Sequence, residues 1–195
     1  MRLELKPDLK NLEAVIRNNP KLISQTLNRL AKTERTKLSR GVTDRYTIKK
    51  SDVDKKIRIG PPAHAGRLYT SITAFSKEAI PWVKFRNRAL GGGRGVAIEI
   101  LKGNKVNVRG QFYATVGSHK GIFQRANQDK INPGETRKEV RDGTPYFHYT
   151  ELPIKERVGP SVSFMAGNLQ NVKAVEKDFY ERFEKEILRR LQAGV

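Results

Sequence analysis

Histidines, carboxylates and glycines set the limits of the chemistry this chain can carry. Its three histidines, His64, His119 and His148, lie far apart and share no helical metal-pair spacing. His119 is the most suggestive, because Ser118, His119, Lys120 and Gly121 stand between two strand-like runs, where a metal nuclease would keep a ligand or a base. Such a site also needs carboxylate, Asn or His partners in register, and none is identifiable, so His119 is expected as a polar turn or interface residue. Glu99 and Lys102 resemble a nuclease Glu-x-Lys pair only faintly: they are one residue too far apart, and no upstream aspartate lies on a paired strand. Gly91, Gly92 and Gly93, between Arg88 and Arg94, invite a phosphate-cradle reading. The Lys-Ser or Lys-Thr of a P-loop and the spacing of a dinucleotide-binding turn are both missing, which leaves a mobile loop over residues 86–95 as the expectation. No Ser, His and Asp constellation and no acid pair stands out. The chain is expected to be no enzyme, with no catalytic residue, cofactor or bound metal.

What the sequence offers instead is charge. Thirty-nine Lys and Arg against 20 Asp and Glu give a net +19 and a pI near 10.3, which predicts attraction to nucleic acid or to an acidic protein surface and says nothing of fold. The densest patterning lies in residues 26–59. Between Lys21 and Arg58, twelve basic residues face four acidic ones, a net +8. A solvated helix face is the bland account of such a run, and the excess of one sign argues for an acidic partner. Lys32, Arg35, Arg40, Lys49, Lys50, Lys55 and Lys56 fall outside the apolar stripe and are the candidate contacts to DNA or an acidic partner.

The elements that position these residues follow from periodicity. Residues Asp8 to Arg17 read as a first helix ended by Asn18, Asn19 and Pro20. Leu22, Ile23, Thr26, Leu27, Leu30 and Ala31 gather on one face of a second helix, started by Asn19 and Pro20 and stopped at Gly41. Tyr46 to Ile48 are extended, and Ser51 or Asp52 caps a short helix ending near Ile57. Residues 60–66 form a stiff connector. The middle, 67–152, reads as an antiparallel meander: Arg67 to Phe75, Trp82 to Phe85, a hairpin over 96–109, another over 112–125 joined by 117–121, and Tyr146 to Leu152. A polar, unpatterned surface loop covers 126–145. Ser161 or Ser163 caps a short turn through Met165. From Val172, the residues Val175, Phe179, Phe183, Ile187 and Leu191 make a stripe for docking on the sheet, with Asp178 and Arg182, Glu181 and Lys185, and Glu186 and Arg190 four apart in the favourable order.

At 195 residues, with 37% hydrophobic content, the chain is expected to be one domain with a real core. With no cysteine it has no disulfide, thiolate metal site or cysteine nucleophile, and it suits a reducing cytoplasm. The charged start carries no signal-peptide core, and no apolar run approaches the ~20 residues of a membrane span. The expected fold class is α+β, with an N-terminal helical part (1–59) and a C-terminal helical part (161–192) packed on an antiparallel sheet.

The order of several short patterns adds a resemblance. Leu27, Asn28 and Arg29, then Ser39, Arg40 and Val42, then Tyr46, Ile48, Lys49 and Lys50 before Asp52, Val53 and Ile57, resemble the minor tail protein Z family of long-tailed bacteriophages and prophages. Val116, Ser118, His119, Gly121, Ile122, Phe123 and Arg125 look like that family's central strand pair, and Gly159, Pro160, Ser161, Val162 and Met165 like its turn before the last helix. Each pattern concerns packing or turning, and their order over roughly Pro20 to Leu191 carries the weight. The resemblance implies a structural tail-completion protein at the neck end of the virion tail, needed for head-tail joining. It also implies a homo-oligomeric, six-fold ring touching tail terminator, tail tube and head connector proteins, with viral DNA in its channel and no membrane partner. The rival is a non-specific nucleic-acid-binding protein of ribosomal or architectural type. That rival requires aromatic residues interleaved with Lys and Arg on an exposed sheet face, whereas Trp82, Phe85, Phe112, Tyr113 and Phe123 have mainly apolar neighbours in sequence.

Overall fold

An apolar stripe that continues past Gly41 gives the longest helix its length. In the computed structural model, which describes residues 2–5, 18–75, 78–125, 138–141, 144–147 and 154–192, helix α1 spans Pro20–Arg45. Proline opens it, and the Asn19 carbonyl accepts from the Ile23 N–H at 3.2 Å. The expected stop at Gly41 does not occur. Val42 is fully buried and Tyr46 nearly so, and burying both outweighs the penalty of about 1 kcal/mol for one helical glycine. The helix ends at Tyr46, which is extended and donates its N–H to the Val42 carbonyl at 2.9 Å.

The chain, expected as one domain, gathers into two compact units, residues 1–80 with 160–195 and residues 81–159. The first holds strand β1 (Arg2–Leu5), α1, a short helix α2 (Lys50–Asp54), and strands β2 (Ile57–Ile59) and β3 (Thr70–Ala74). Its strands form an antiparallel sheet in the order β1-β3-β2, in register from Leu3 through Ile72 to Ile59. Strand β4 (Ile80–Pro81) follows, and a 3-10 turn over Trp82–Lys84 replaces the strand expected there. Pro81 fixes its own φ and brings no N–H to a ladder, so a turn suits the position.

The second unit is built from short antiparallel ladders. Strands β5 (Arg86–Ala89), β6 (Val96–Glu99) and β7 (Lys105–Val108) form one sheet. Strands β8 (Gln111–Val116), β9 (His119–Arg125) and β12 (Ile154–Glu156) form another, in the order β12-β9-β8. Strands β10 (Lys138–Arg141) and β11 (Thr144–Phe147) pair with each other, so part of the expected 126–145 loop is a hairpin. The last strand is β13 (Val158–Gly159). The loop expected over 86–95 is corrected as well: residues 86–89 are strand, and the glycines make a tight turn closed by the Leu90 N–H on the Gly95 carbonyl at 2.9 Å.

Back in the first unit, α3 (Val162–Ala166) is capped by the Ser161 hydroxyl, which accepts from the Phe164 N–H at 3.2 Å. Helix α4 (Leu169–Gln192) buries Val175, Phe179, Phe183 and Ile187, with the two phenylalanine rings stacked 5.8 Å apart. Its main partner is α1, with a smaller contact to β1, rather than the sheet that the stripe was expected to cover. The buried stripe of α1 runs from Leu22 to Val42, a longer complementary face than three short strands present. The fold class is α+β, with the strands divided among small antiparallel sheets. The first helix expected over 8–17 lies outside the described residues.

Candidate functional site

The basic residues of the first unit divide by what holds them. Arg35 is half-buried, and its guanidinium donates to the carbonyls of Ile57 (3.0 Å) and Asp54 (2.8 Å). It is a structural tie between α1 and the end of α2, not a surface contact. Ser39 donates to Asp54 at 2.6 Å, and Lys50 pairs with the same carboxylate at 2.6 Å. Burial alone would raise the Asp54 pKa, yet the hydrogen bonds from Lys50 and Ser39 hold it below the usual carboxylate range. Lys56 lies 4.0 Å from Glu78. Lys32, Arg40, Lys49 and Lys55 are exposed and, among the described residues, make no ion pair. Of the seven candidates, these four remain available to a partner.

The resembling motif residues also have structural work. The Asn28 amide donates to the Ala63 carbonyl at 2.9 Å and accepts from the Ala63 N–H at 2.8 Å, pinning the 60–66 connector to α1. Arg29 reaches Glu186 at 2.9 Å, where Arg189 and Arg190 also converge. The Arg189 and Arg190 hydrogen bonds, with the charge of Arg29, hold Glu186 down to about 2. Glu34 is fully buried, and neither of its carboxylate oxygens has a hydrogen-bond partner. Lys37 stands 3.8 Å from it, beyond hydrogen-bond reach, and also contacts Asp178. Burial pushes the Glu34 carboxyl up despite the attraction of Lys37 and Arg182, and burial pushes Lys37 down.

Two arginines of this unit lie over exposed aromatic rings. Arg58 is 5.6 Å from the centroid of Phe75 and Arg67 is 5.4 Å from that of Tyr69, and the rings are 53% and 40% exposed. They flank β3 at its two ends, roughly 20 Å apart along an extended strand. Nothing local in the sequence signals their exposure, which depends on what packs beside β3.

In the second unit the chemistry weighed for His119 resolves differently from a turn. His119 sits on β9 opposite Val116, and its Nε2 lies 2.7 Å from Glu156 Oε1 on β12. The hairpin turn is only Gly117 and Ser118, with Gly117 at φ +61°. Glu99 is bound by the Gly103 N–H at 2.8 Å and by Arg86 at 3.2 Å, and these bonds depress its pKa. That arrangement closes the β6-β7 turn. His64 belongs to a tight turn, where its Nδ1 accepts from the Gly66 N–H at 3.2 Å, and His148 lies outside the described residues. Among the described residues no cluster of His, Asp and Glu could hold a metal, and no helix is long and apolar enough to cross a membrane. Trp82, Phe85 and Phe123 are buried, and the partly exposed Tyr113 donates its hydroxyl to Asn87 Oδ1 at 2.5 Å. Comparison with known proteins finds no matching family model, no similar curated protein and no matching solved structure.

Proposed function

We propose that this chain is a structural assembly protein, a tail-completion component at the neck end of a bacteriophage tail, whose first unit docks on acidic neighbouring subunits in a homo-oligomeric ring. The observation that carries the docking is the pairing of Arg58 with exposed Phe75 and of Arg67 with exposed Tyr69. Arginine and aromatic residues are the side chains enriched at the anchoring points of protein interfaces. Exposed Lys32, Arg40, Lys49 and Lys55 supply the charge that selects an acidic partner and fixes its register. The order of motifs from Leu27 to Met165 supports the phage assignment.

The rival, a non-specific nucleic-acid-binding protein, fares less well in this unit. Its stacking platform would need adjacent exposed rings, and Tyr69 and Phe75 stand at opposite ends of a strand whose intervening Thr70, Ser71, Ile72 and Ala74 are buried. Reversing Lys32, Arg40, Lys49 and Lys55 to Glu in the phage that encodes this protein, then quantifying the protein in purified tails, tests the reading. The expected outcome is loss of the protein from tails. Normal incorporation with poor DNA delivery would move this face to the DNA channel, and normal incorporation with normal infectivity would return the four cations to plain solvation.

A further inference from the structure

A second concentration of positive charge lies in the β5-β6-β7 sheet of the other unit. Between Pro81 and Arg125 the chain has nine Lys and Arg and a single acidic residue, Glu99, and that carboxylate is already committed to Gly103 and Arg86. Pairing register places the remaining charges. Arg88, Ala97 and Asn107 lie side by side in one row across the three strands, and Arg86, Glu99 and Lys105 lie in the row two residues along. Residues two apart on a strand share a face, so both rows point the same way. Arg88, Lys105 and Asn107 are exposed, while Ala97 between them is 2% exposed and small. Two rims about 10 Å apart, twice the inter-strand spacing, therefore flank a low floor.

The glycines extend this trough. Gly95 has φ +107°, and a Cβ there would sit 2.1 Å from the Val108 carbonyl and 2.9 Å from the Arg109 Cα. Only glycine lets the end of β7 pass so close to the β5-β6 turn, and that approach brings Arg94 and Arg109 to one cleft of about 540 Å³, lined also by Asn107 and Gly110. Arg94 is held there by its Nε donating to the Gly91 carbonyl at 3.0 Å. Gly92 and Gly93 have φ of 68° and 71°, so the turn itself requires them. Gly91 is different: it has no left-handed φ, and a Cβ would meet nothing within 4 Å. A side chain at this position would stand in open space beside Arg94, where a bound partner would meet it.

We propose that this face is a binding trough for the phosphodiester backbone of nucleic acid, with Arg88, Arg94, Lys105 and Arg109 contacting phosphates and Asn107 donating between them. A nucleic acid fits better than an acidic protein because the face carries Arg, Lys, Asn and Ala without an aromatic anchor, and Leu90, the one large apolar residue lining the cleft, is half-buried. Protein interfaces centre on such anchors and are poor in Lys, whereas nucleic-acid interfaces are polar and strongly positive. With no ring to stack on bases, binding reads backbone and not sequence. The inference stands independently of the tail-assembly reading, which concerns the other unit.

The test is fluorescence anisotropy of the full-length protein with a 30-base-pair duplex, a 30-nucleotide single strand and a poly-glutamate peptide of matched charge, across a salt series. The variant changes Arg88, Arg94, Lys105 and Arg109 to Gln, and a thermal melt verifies that it folds. Counterion release predicts that the slope of log K against log salt becomes shallower by about 3 to 4 on duplex, or by nearly 3 if single strands are the preferred form. Gly91→Val is expected to melt like the parent and bind several-fold more weakly. A folded quadruple variant with the parental slope would overturn the proposal, as would parental binding to poly-glutamate as tight as to DNA, which would make the face a protein-docking surface.

Discussion

The helical stretch Lys21–Arg58 and the sheet stretch Pro81–Arg125 carry the same net charge of +8, yet they use it differently. In the helical stretch the cations are interleaved with Glu34, Asp44, Asp52 and Asp54, and much of the charge is spent inside the fold. Arg35 ties down two backbone carbonyls, Lys50 pairs with Asp54, Arg29 with Glu186, and Lys37 is drawn to Glu34 and Asp178. In the sheet stretch one carboxylate faces nine cations, and the strand alternation puts several of them on a single open face. Net charge in a window is therefore a poor guide to available charge. The position of the acidic residues, and of backbone carbonyls within reach, decides what is left for a partner.

The largest effect expected lies beneath the charges, in the helical seam that arranges them. Truncating Phe179 or Phe183 to Ala should cost ~3 to 5 kcal/mol each, because both are buried and stacked together. A double variant that melts like the parent would show that the α1-α4 seam is not the core. Next, Arg35→Ala should lose roughly 1.5 to 3 kcal/mol, the worth of a hydrogen bond from a charged group. Arg88→Ala should stay within about 0.5 kcal/mol of the parent, as befits an exposed residue with no side-chain hydrogen bond or ion pair among the described residues. Equal losses from these two arginines in denaturant melts would erase the contrast between the regions.

Two glutamates sharpen it through pH, with opposite signs. Glu34 has its pKa raised above the ordinary 4.5 by burial, so the folded state favours the neutral acid. Its cost is absent below about 4.5, the unfolded value, and grows as pH rises towards the raised folded value. Glu34→Gln should raise the melting temperature at pH 7, and that gain should vanish on acidification. Glu186 is held at about 2 by Arg189, Arg190 and Arg29, so its contribution is present above 4.5 and is lost as pH falls from there to about 2. Glu186→Gln should give a small loss at pH 7 that disappears in acid, small because two of the three arginines are more than 60% exposed. Melts from pH 2 to 8 of both variants check the two signs together.

Much of this was legible in the sequence. The Val175 to Ile187 stripe, the Ser161 cap, both hairpins and the salt pairs of Asp178 with Arg182 and Glu186 with Arg190 are strictly local patterns, and all form. Failures came where distant burial overrode a local signal. Gly41 reads as a stop until Val42 and Tyr46 prove to be core, and the glycine-rich 86–95 segment reads as a loop until Gly95 proves to be the contact between strands. Arg35 looked like its exposed neighbours because its partners are carbonyls 19 and 22 residues away. No composition window registers a carbonyl. The sheet trough was missed for a related reason: its residues are spread over three strands and converge only when the register is known.

The central claim, that the open charge of the sheet and not total charge governs nucleic-acid binding, is tested most directly by two variants of equal charge change. One carries Gln at Arg88, Arg94, Lys105 and Arg109, the other Gln at Lys32, Arg40, Lys49 and Lys55, and each is titrated with the same duplex over a salt series. The expected result is a slope shallower by about 3 to 4 in the sheet variant, with the helical variant close to the parent. Equal changes in the two would contradict the account, since net charge alone would then explain the binding.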